Sequence, residues 1–380
     1  MVVEIFSAGG GSSTGGENIC RAAAIKANFE DKEIKFLKTA SHPDLGKLLK
    51  KFGRLSRHKI ILGLDSHLAT TIYSSVVLVR DRFKELIDEP EIDNLISQAI
   101  WKFFDRQRNK VAAKMAVSDL DIVLSDVKIR GIRLDGHKVV NPVGFKAKTV
   151  EVIFSQTFLL RSFIDSVKET LPLDQVLFTT ESGTAWSSVM AKSDPDQNFL
   201  MANIFGDKTA IFAAMGTQNS YWDHFTWGEN SLYAGLASDL SVDSETAKSI
   251  VNLYNQGVTS GTFRRRVETM ISRELQILAH GLNQMVKKMD AKQILIHSFF
   301  DLPAIFMTNF RDSFDKPVNL RPLNLDIISN SFGFDVKFKH TADAKHSFSF
   351  LATLMEWYLS PREDKMSQMA KRRVRWLSPT

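Results

Sequence analysis

A chain of 380 residues, 44% hydrophobic and 24% charged, is long enough to bury two ordinary cores and has the composition of a soluble globular protein. One cysteine, Cys20, excludes an internal disulfide framework and fits a reducing cytoplasm, and neither a secretory signal nor a run of about 18 apolar residues is present. Six basic and two acidic residues between Pro361 and Thr380 hold most of the net charge of +6, so no nucleic-acid surface is expected over the body.

In chain order, Val2–Phe6 reads as an apolar strand with one polar side chain, Glu4. Five glycines follow between Gly9 and Gly16, a run that lets backbone N–H groups approach an anion or simply forms a flexible hairpin tip. Strands are expected at Ala22–Phe29, Lys32–Lys38 and Lys59–Leu64, with a short helix at Asp44–Phe52. Apolar residues from Ile92 to Phe103 keep the helical period of one buried face. In Ile122–Leu134, Val127, Ile129 and Gly131 alternate with Lys128 and Arg130, which predicts a strand with one wet face. Asp135-Gly136 turns that strand, Asn141-Pro142-Val143-Gly144 forms a second turn, and Thr149–Phe154 is another alternating strand. A helix marked by Leu159, Leu160, Phe163, Ile164 and Val167 is expected to end near Leu171-Pro172, and Val176–Phe178 re-enters a sheet.

Asn198–Phe205 and Thr209–Met215 are apolar arms around Gly206-Asp207-Lys208, a hairpin inside a covered sheet. Beyond it come a helix capped by Asp243 or Ser244, a long core helix at Thr262–Met289, a strand at Lys292–His297 and a last body helix at His346–Leu359. The phrase Ala202-Asn203-Ile204-Phe205 before a turn repeats Val3-Glu4-Ile5-Phe6, which suggests two related halves.

That repeat resembles the actin-like ATPase fold, in which a hairpin from each half grips the phosphates of a nucleotide. The helix, strand, Asn141–Gly144 turn, strand and helix between the halves resemble the inserted subdomain of the bacterial division protein FtsA. The resemblance implies an α/β, actin-like fold of two related halves with an FtsA-type inserted subdomain. Its parts would be residues 1–83 and 158–197 (first half), 84–157 (insertion), 198–359 (second half) and 360–380 (basic tail).

The nucleotide positions implied by the resemblance are Glu4, Gly9, Gly10, Gly11, Ser12, Asn203, Gly206, Thr209, Gly228, Lys248 and Ser298. Many depart from the family's pattern. Glu4 stands for an Asp and Phe6 for a Gly; Asn203 replaces an acid, Phe205 and Asp207 replace glycines, and Ala210 falls at another acidic position. Ser298-Phe299-Phe300 replaces the glycines at the adenosine end, and Lys248 and Val251 take the places of the ribose-holding Glu and Lys. An Asn neither acts as a base nor binds a metal as a carboxylate does. The expectation is a degenerate cleft without catalytic or metal-ligating residues, holding ATP with magnesium only if the divergent cleft still binds it.

The tail reads KMSQMAKRRVRWL from Lys365 to Leu377. Met366, Met369, Ala370, Val374 and Leu377 share a helical face, with Lys371, Arg372, Arg373 and Arg375 supplying charge and Trp376 at the edge. A basic amphipathic helix of this kind suits an anionic membrane surface, and the alternative is a last helix packed on the body. FtsA ends in a similar helix. The resemblance therefore implies a cytoplasmic scaffold, peripheral on the inner membrane face, that self-assembles and recruits a tubulin-like division protein. The related pilus-assembly protein PilM, which docks a peptide from an inner-membrane pilus protein, is the alternative, as is an active ATPase of the same fold.

Overall fold

The computed structural model describes residues 1–6, 19–193, 198–215, 218–306, 314–315, 317–340, 347–360, 366 and 368–370. Its first elements are β1 (Val2–Phe6), β2 (Ile19–Asn28), β3 (Glu33–His42), α1 (Leu45–Lys50), β4 (Ile60–Leu64) and β5 (Ala69–Val79). Next come α2 (Glu89–Met115), β6 (Ile122–Leu134), β7 (His137–Val139), β8 (Thr149–Leu160), α3 (Arg161–Val167), β9 (Val176–Glu181) and α4 (Ser182–Ser193). The second half holds β10 (Phe199–Ile204), β11 (Thr209–Met215), β12 (Gln218–Phe225), α5 (Glu229–Leu240), α6 (Ser244–Asn255) and α7 (Gly261–Met289). It continues through β13 (Gln293–Ser298), β14 (Asn319–Pro322), α8 (Leu325–Phe332), β15 (Asp335–Phe338) and α9 (Phe348–Leu359).

Two sheets are wound alike. In the first, β3, β2 and β1 form an antiparallel meander, and β4 and β9 add in parallel beyond β1. In the second, β12, β11 and β10 form the meander, and β13 and β14 add in parallel beyond β10. The two Ile-Phe strands are thus the central strands of two five-strand units of one topology. Parallel neighbours require long crossovers. In the second unit α5, α6 and α7 supply it, with Val267, Ile271, Leu275, Leu278 and Leu282 of α7 buried against the sheet.

In the first unit the crossover from β4 to β9 carries an inserted subdomain. It is an antiparallel sheet in the order β5-β8-β6-β7, covered on one face by α2. The β6–β7 turn is Asp135-Gly136 as expected, both residues at positive φ (47° and 86°), the combination a tight two-residue hairpin requires. The insertion begins earlier than residue 84, because β5 pairs with β8 from Ala69 onward. The strand expected to end at Phe154 runs to Leu160 instead. Leu159 and Leu160 pair with Val123 and Ile122, so sheet pairing overrides their helical spacing and leaves a helix only from Arg161.

The face of β6 expected to be wet is covered. Lys128 is buried, Arg130 is nearly so, and both lie where the subdomain meets α4, α9 and β9 of the first lobe. Arg130 pairs with Glu356 and its Nη2 also donates to the Tyr73 hydroxyl at 3.3 Å. Lys192 donates to Glu356 at 3.2 Å. Period-two alternation marks two faces but does not say which solvent each meets.

The chain also returns to the first lobe before residue 359. β15 pairs in parallel with β3 at the edge of the first sheet, and α9 packs on α4 and β1. The second lobe therefore lies within residues 198–324, and the last elements of the body belong to the first.

Candidate functional site

Alternation along the two central strands sets up the cleft. Val3 and Ile5 enter a core with α1 and α3, while Val2 and Phe6 face the other lobe. Leu200, Ala202 and Ile204 enter the second lobe's own core, while Phe199, Met201 and Phe205 face the first. The two inward sets merge with α4, α8 and α9 into one apolar cluster that spans both lobes.

Three rings fill the place where the two hairpins meet. Phe6 lies 5.5 Å from Phe205 and 4.8 Å from Phe299, centroid to centroid, and Phe205 stacks on Phe299 at 5.0 Å. Trp186 of α4 adds a fourth ring, 6.2 Å from Phe6, with its indole N–H donating to Thr353 at 2.9 Å. These separations are those of favourable aromatic pairs. The Arg21 guanidinium sits over Phe299 and Phe350 at 5.1 and 4.7 Å.

A buried ion pair closes the cleft beside the rings. Lys208, in the turn after β10, places Nζ 2.8 Å from Oδ2 of Asp65, which follows β4 in the other lobe. Their side chains are only 6% and 1% exposed. The His67 and His224 rings meet across the same seam at 5.5 Å, and burial, then the Lys208 charge, hold the His67 imidazole below its usual range.

The N-terminus of α5 would ordinarily be an anion site, because its first N–H groups have no partner inside the helix. Here the hairpin itself occupies it. Glu229 N–H donates to the Phe205 carbonyl at 3.0 Å, and Asn230 N–H donates to the Gly206 carbonyl at 2.8 Å. Gly228 is what allows this approach: a Cβ there would lie 2.3 Å from the Phe205 oxygen and 2.4 Å from the Gly206 oxygen. Asp207 accepts from the Asn230 amide at 2.6 Å.

Glu4, Thr209, Ser298 and Lys248 are also engaged. Glu4 is fully buried, and its carboxylate accepts from the Ser349 hydroxyl at 2.8 Å and the Thr353 hydroxyl at 3.2 Å, with Arg21 3.6 Å away. Burial raises its pKa, and Arg21 and the two hydroxyls offset part of that rise. Thr209 donates to the Trp227 carbonyl at 2.8 Å, and Ser298 donates to the Phe300 carbonyl at 2.8 Å. Lys248 lies on the surface of α6, paired with Glu229 at 3.3 Å. Asn203 is buried beside Ala210 and His297, and its side-chain amide has no hydrogen-bond partner among the described residues. Gly9, Gly10, Gly11 and Ser12 lie outside the described residues, as do Lys371, Arg372, Arg373, Val374, Arg375, Trp376 and Leu377. Met366, expected on a membrane face, is buried in the core of the inserted subdomain, and Met369 packs against that core. Among the described residues no cluster of His, Cys, Asp or Glu could hold a metal, and no helix is long and apolar enough to cross a membrane.

No family model matches the sequence, and no curated protein matches it. The structure superposes on that of a PilM–PilN type IV pilus biogenesis complex over 98% of this chain and 97% of the other, with a TM-score of 0.56 at 13% identity. The chain has an actin-like fold. Likenesses to an actin-like ATPase-fold protein of unknown function from Bacteroides thetaiotaomicron and a ROK family protein from Streptococcus pneumoniae are looser. Their TM-scores are 0.38 and 0.41, their identities 9% and 11%, and they cover 88% and 94% of this chain and 96% and 99% of their own. Neither bears on function. Relative to the actin-like plan, the strands and aromatic substitutions of the cleft are legible in the sequence, whereas the pairing of Lys208 with Asp65 is not. They are 143 positions apart, and nothing local marks either residue.

Proposed function

We propose that this chain is a PilM-like scaffold: a two-lobed body that works by docking a peptide from an inner-membrane pilus protein and turns over no nucleotide. The observation that carries this reading is the filled cleft. A triphosphate between the hairpins would have to displace Phe6, Phe205 and Phe299 and separate the buried Lys208–Asp65 pair. Removing one member of such a pair costs about 3–5 kcal/mol. Ring displacement adds to that, so nucleotide contacts would have to offset a large penalty.

The full-length likeness to a PilM–PilN complex supports the pilus-type role ahead of the division scaffold that the sequence resemblance put first. An FtsA-type identity for the inserted subdomain, self-assembly and a tubulin-like partner have no comparable support. Peripheral attachment to an anionic membrane through the basic tail belongs to the same proposal.

Thermal unfolding of the purified protein with and without Mg-ATP tests the cleft. No shift is expected, and a clear upward shift would overturn the reading. The partner is tested by titrating peptides from the cytoplasmic segment of a PilN-type protein and from the tail of a tubulin-like division protein. Binding of the first supports the pilus role, binding of the second puts the division role ahead, and binding of neither refutes both.

A further inference from the structure

Two faces compete for one set of side chains in the tail. Met366 is 7% exposed and Ala370 0%, and both lie in the apolar cluster of the inserted subdomain with Ile96, Phe103, Phe154 and Phe158. Met369 packs against the same cluster, while Gln368, on the opposite side of the helical turn, is exposed. These are the residues that begin the apolar face of the KMSQMAKRRVRWL segment. A side chain buried in a protein core is withdrawn from lipid, so docking and membrane insertion exclude one another.

We infer that the tail is a two-position element. The face of Met366, Met369 and Ala370 docks on the inserted subdomain in the free protein and turns to an anionic bilayer when the protein is membrane-bound. This rests on the peripheral attachment proposed above and adds its regulation.

The connection makes docking the resting position. α9 ends at Leu359, and Ser360 is held by its hydroxyl donating to the Glu356 carbonyl at 2.6 Å and accepting from Arg130 Nη1 at 3.3 Å. Arg130 belongs to the inserted subdomain, so the start of the tail is pinned to the element on which the tail docks. Six chain steps from residue 360 to residue 366 reach at most about 20 Å. A connection of this length keeps the tail near the subdomain, so even a small apolar contact is well populated. Apparent lipid affinity then falls by the fraction undocked: if about nine in ten tails are docked, binding weakens about tenfold. Leaving the body would also bare the subdomain core under Met366, a surface available only in the bound state.

The experiment uses the full chain with single cysteines at Met366→Cys and Gln368→Cys; the native Cys20 is 2% exposed. Each variant is treated with a water-soluble and a bilayer-partitioning maleimide, alone and with phosphatidylglycerol-rich or purely phosphatidylcholine vesicles, and vesicle binding is read by co-sedimentation. In the free protein, position 366 is expected to react with the water-soluble reagent at least about tenfold more slowly than position 368. On the anionic vesicles it is expected to become reactive from the lipid phase. Fast reaction at 366 in the free protein would overturn the docked position. Sedimentation with 366 still protected from both reagents would overturn the release while leaving membrane attachment standing. Failure to sediment with anionic vesicles would instead remove the attachment on which the inference rests.

Discussion

Replacing Lys208 by alanine isolates the buried ion pair between the lobes. The parent pair is 2.8 Å apart with both side chains almost fully excluded from water. Asp65 would keep the Ser66 hydroxyl, 3.1 Å from its other oxygen, but would lose the cation that offsets its burial. A buried carboxylate deprived of its cation costs about 3–5 kcal/mol, whereas replacing both partners by apolar residues of similar size is often neutral. Urea unfolding should therefore show Lys208→Ala with a lower midpoint and unchanged slope, and Lys208→Met with Asp65→Leu recovering most of the loss. A single variant within about 1 kcal/mol of the parent would rule out an orphaned buried charge. A double variant no more stable than the single one would equally rule it out, because the cost would then lie in packing and not in an orphaned charge.

Further predictions concern the junction of the inserted subdomain and the hairpin turn. Burial lowers the Lys128 ammonium to about 8, and Asp126 offsets only part of that. Between pH 8 and the ordinary lysine range the unfolded chain binds more protons, so stability from this site rises as pH rises through that window. Lys128→Met should remove that slope and be more stable than the parent at pH 7 by up to about 3 kcal/mol, measured by urea midpoints across pH. Burial alone would raise the Glu356 carboxyl, but Arg130, Lys192 and Lys128 together hold it down at about 2. Its contribution is present above the ordinary glutamate range and is lost as pH falls towards 2. Glu356→Gln should cost about 3–5 kcal/mol at pH 7 and flatten that acid limb, as chemical unfolding would report. Gly228→Ala, whose Cβ would overlap two carbonyl oxygens of the hairpin turn, should lose about 1–3 kcal/mol in a thermal melt.

The periodic elements and the repeated hairpin are legible in the amino-acid order alone. Five buried residues in β1, the two apolar arms of β10 and β11 and the buried stripe of α7 are local patterns, and local patterns survive folding. It also marked the cleft as abnormal, since Phe6, Phe205 and Asn203 stand where the resembled fold keeps glycines and an acid.

What those residues meet is set by the packing of distant segments. Burial of Lys128 and Arg130, pairing of Lys208 with Asp65, the return of β15 to β3 and the docking of Met366 all depend on segments far apart in the chain. Alternation records that a strand has two unlike faces. Which face is dry is set by the second layer laid over it, and a buried charge is tolerable only where that layer brings its partner.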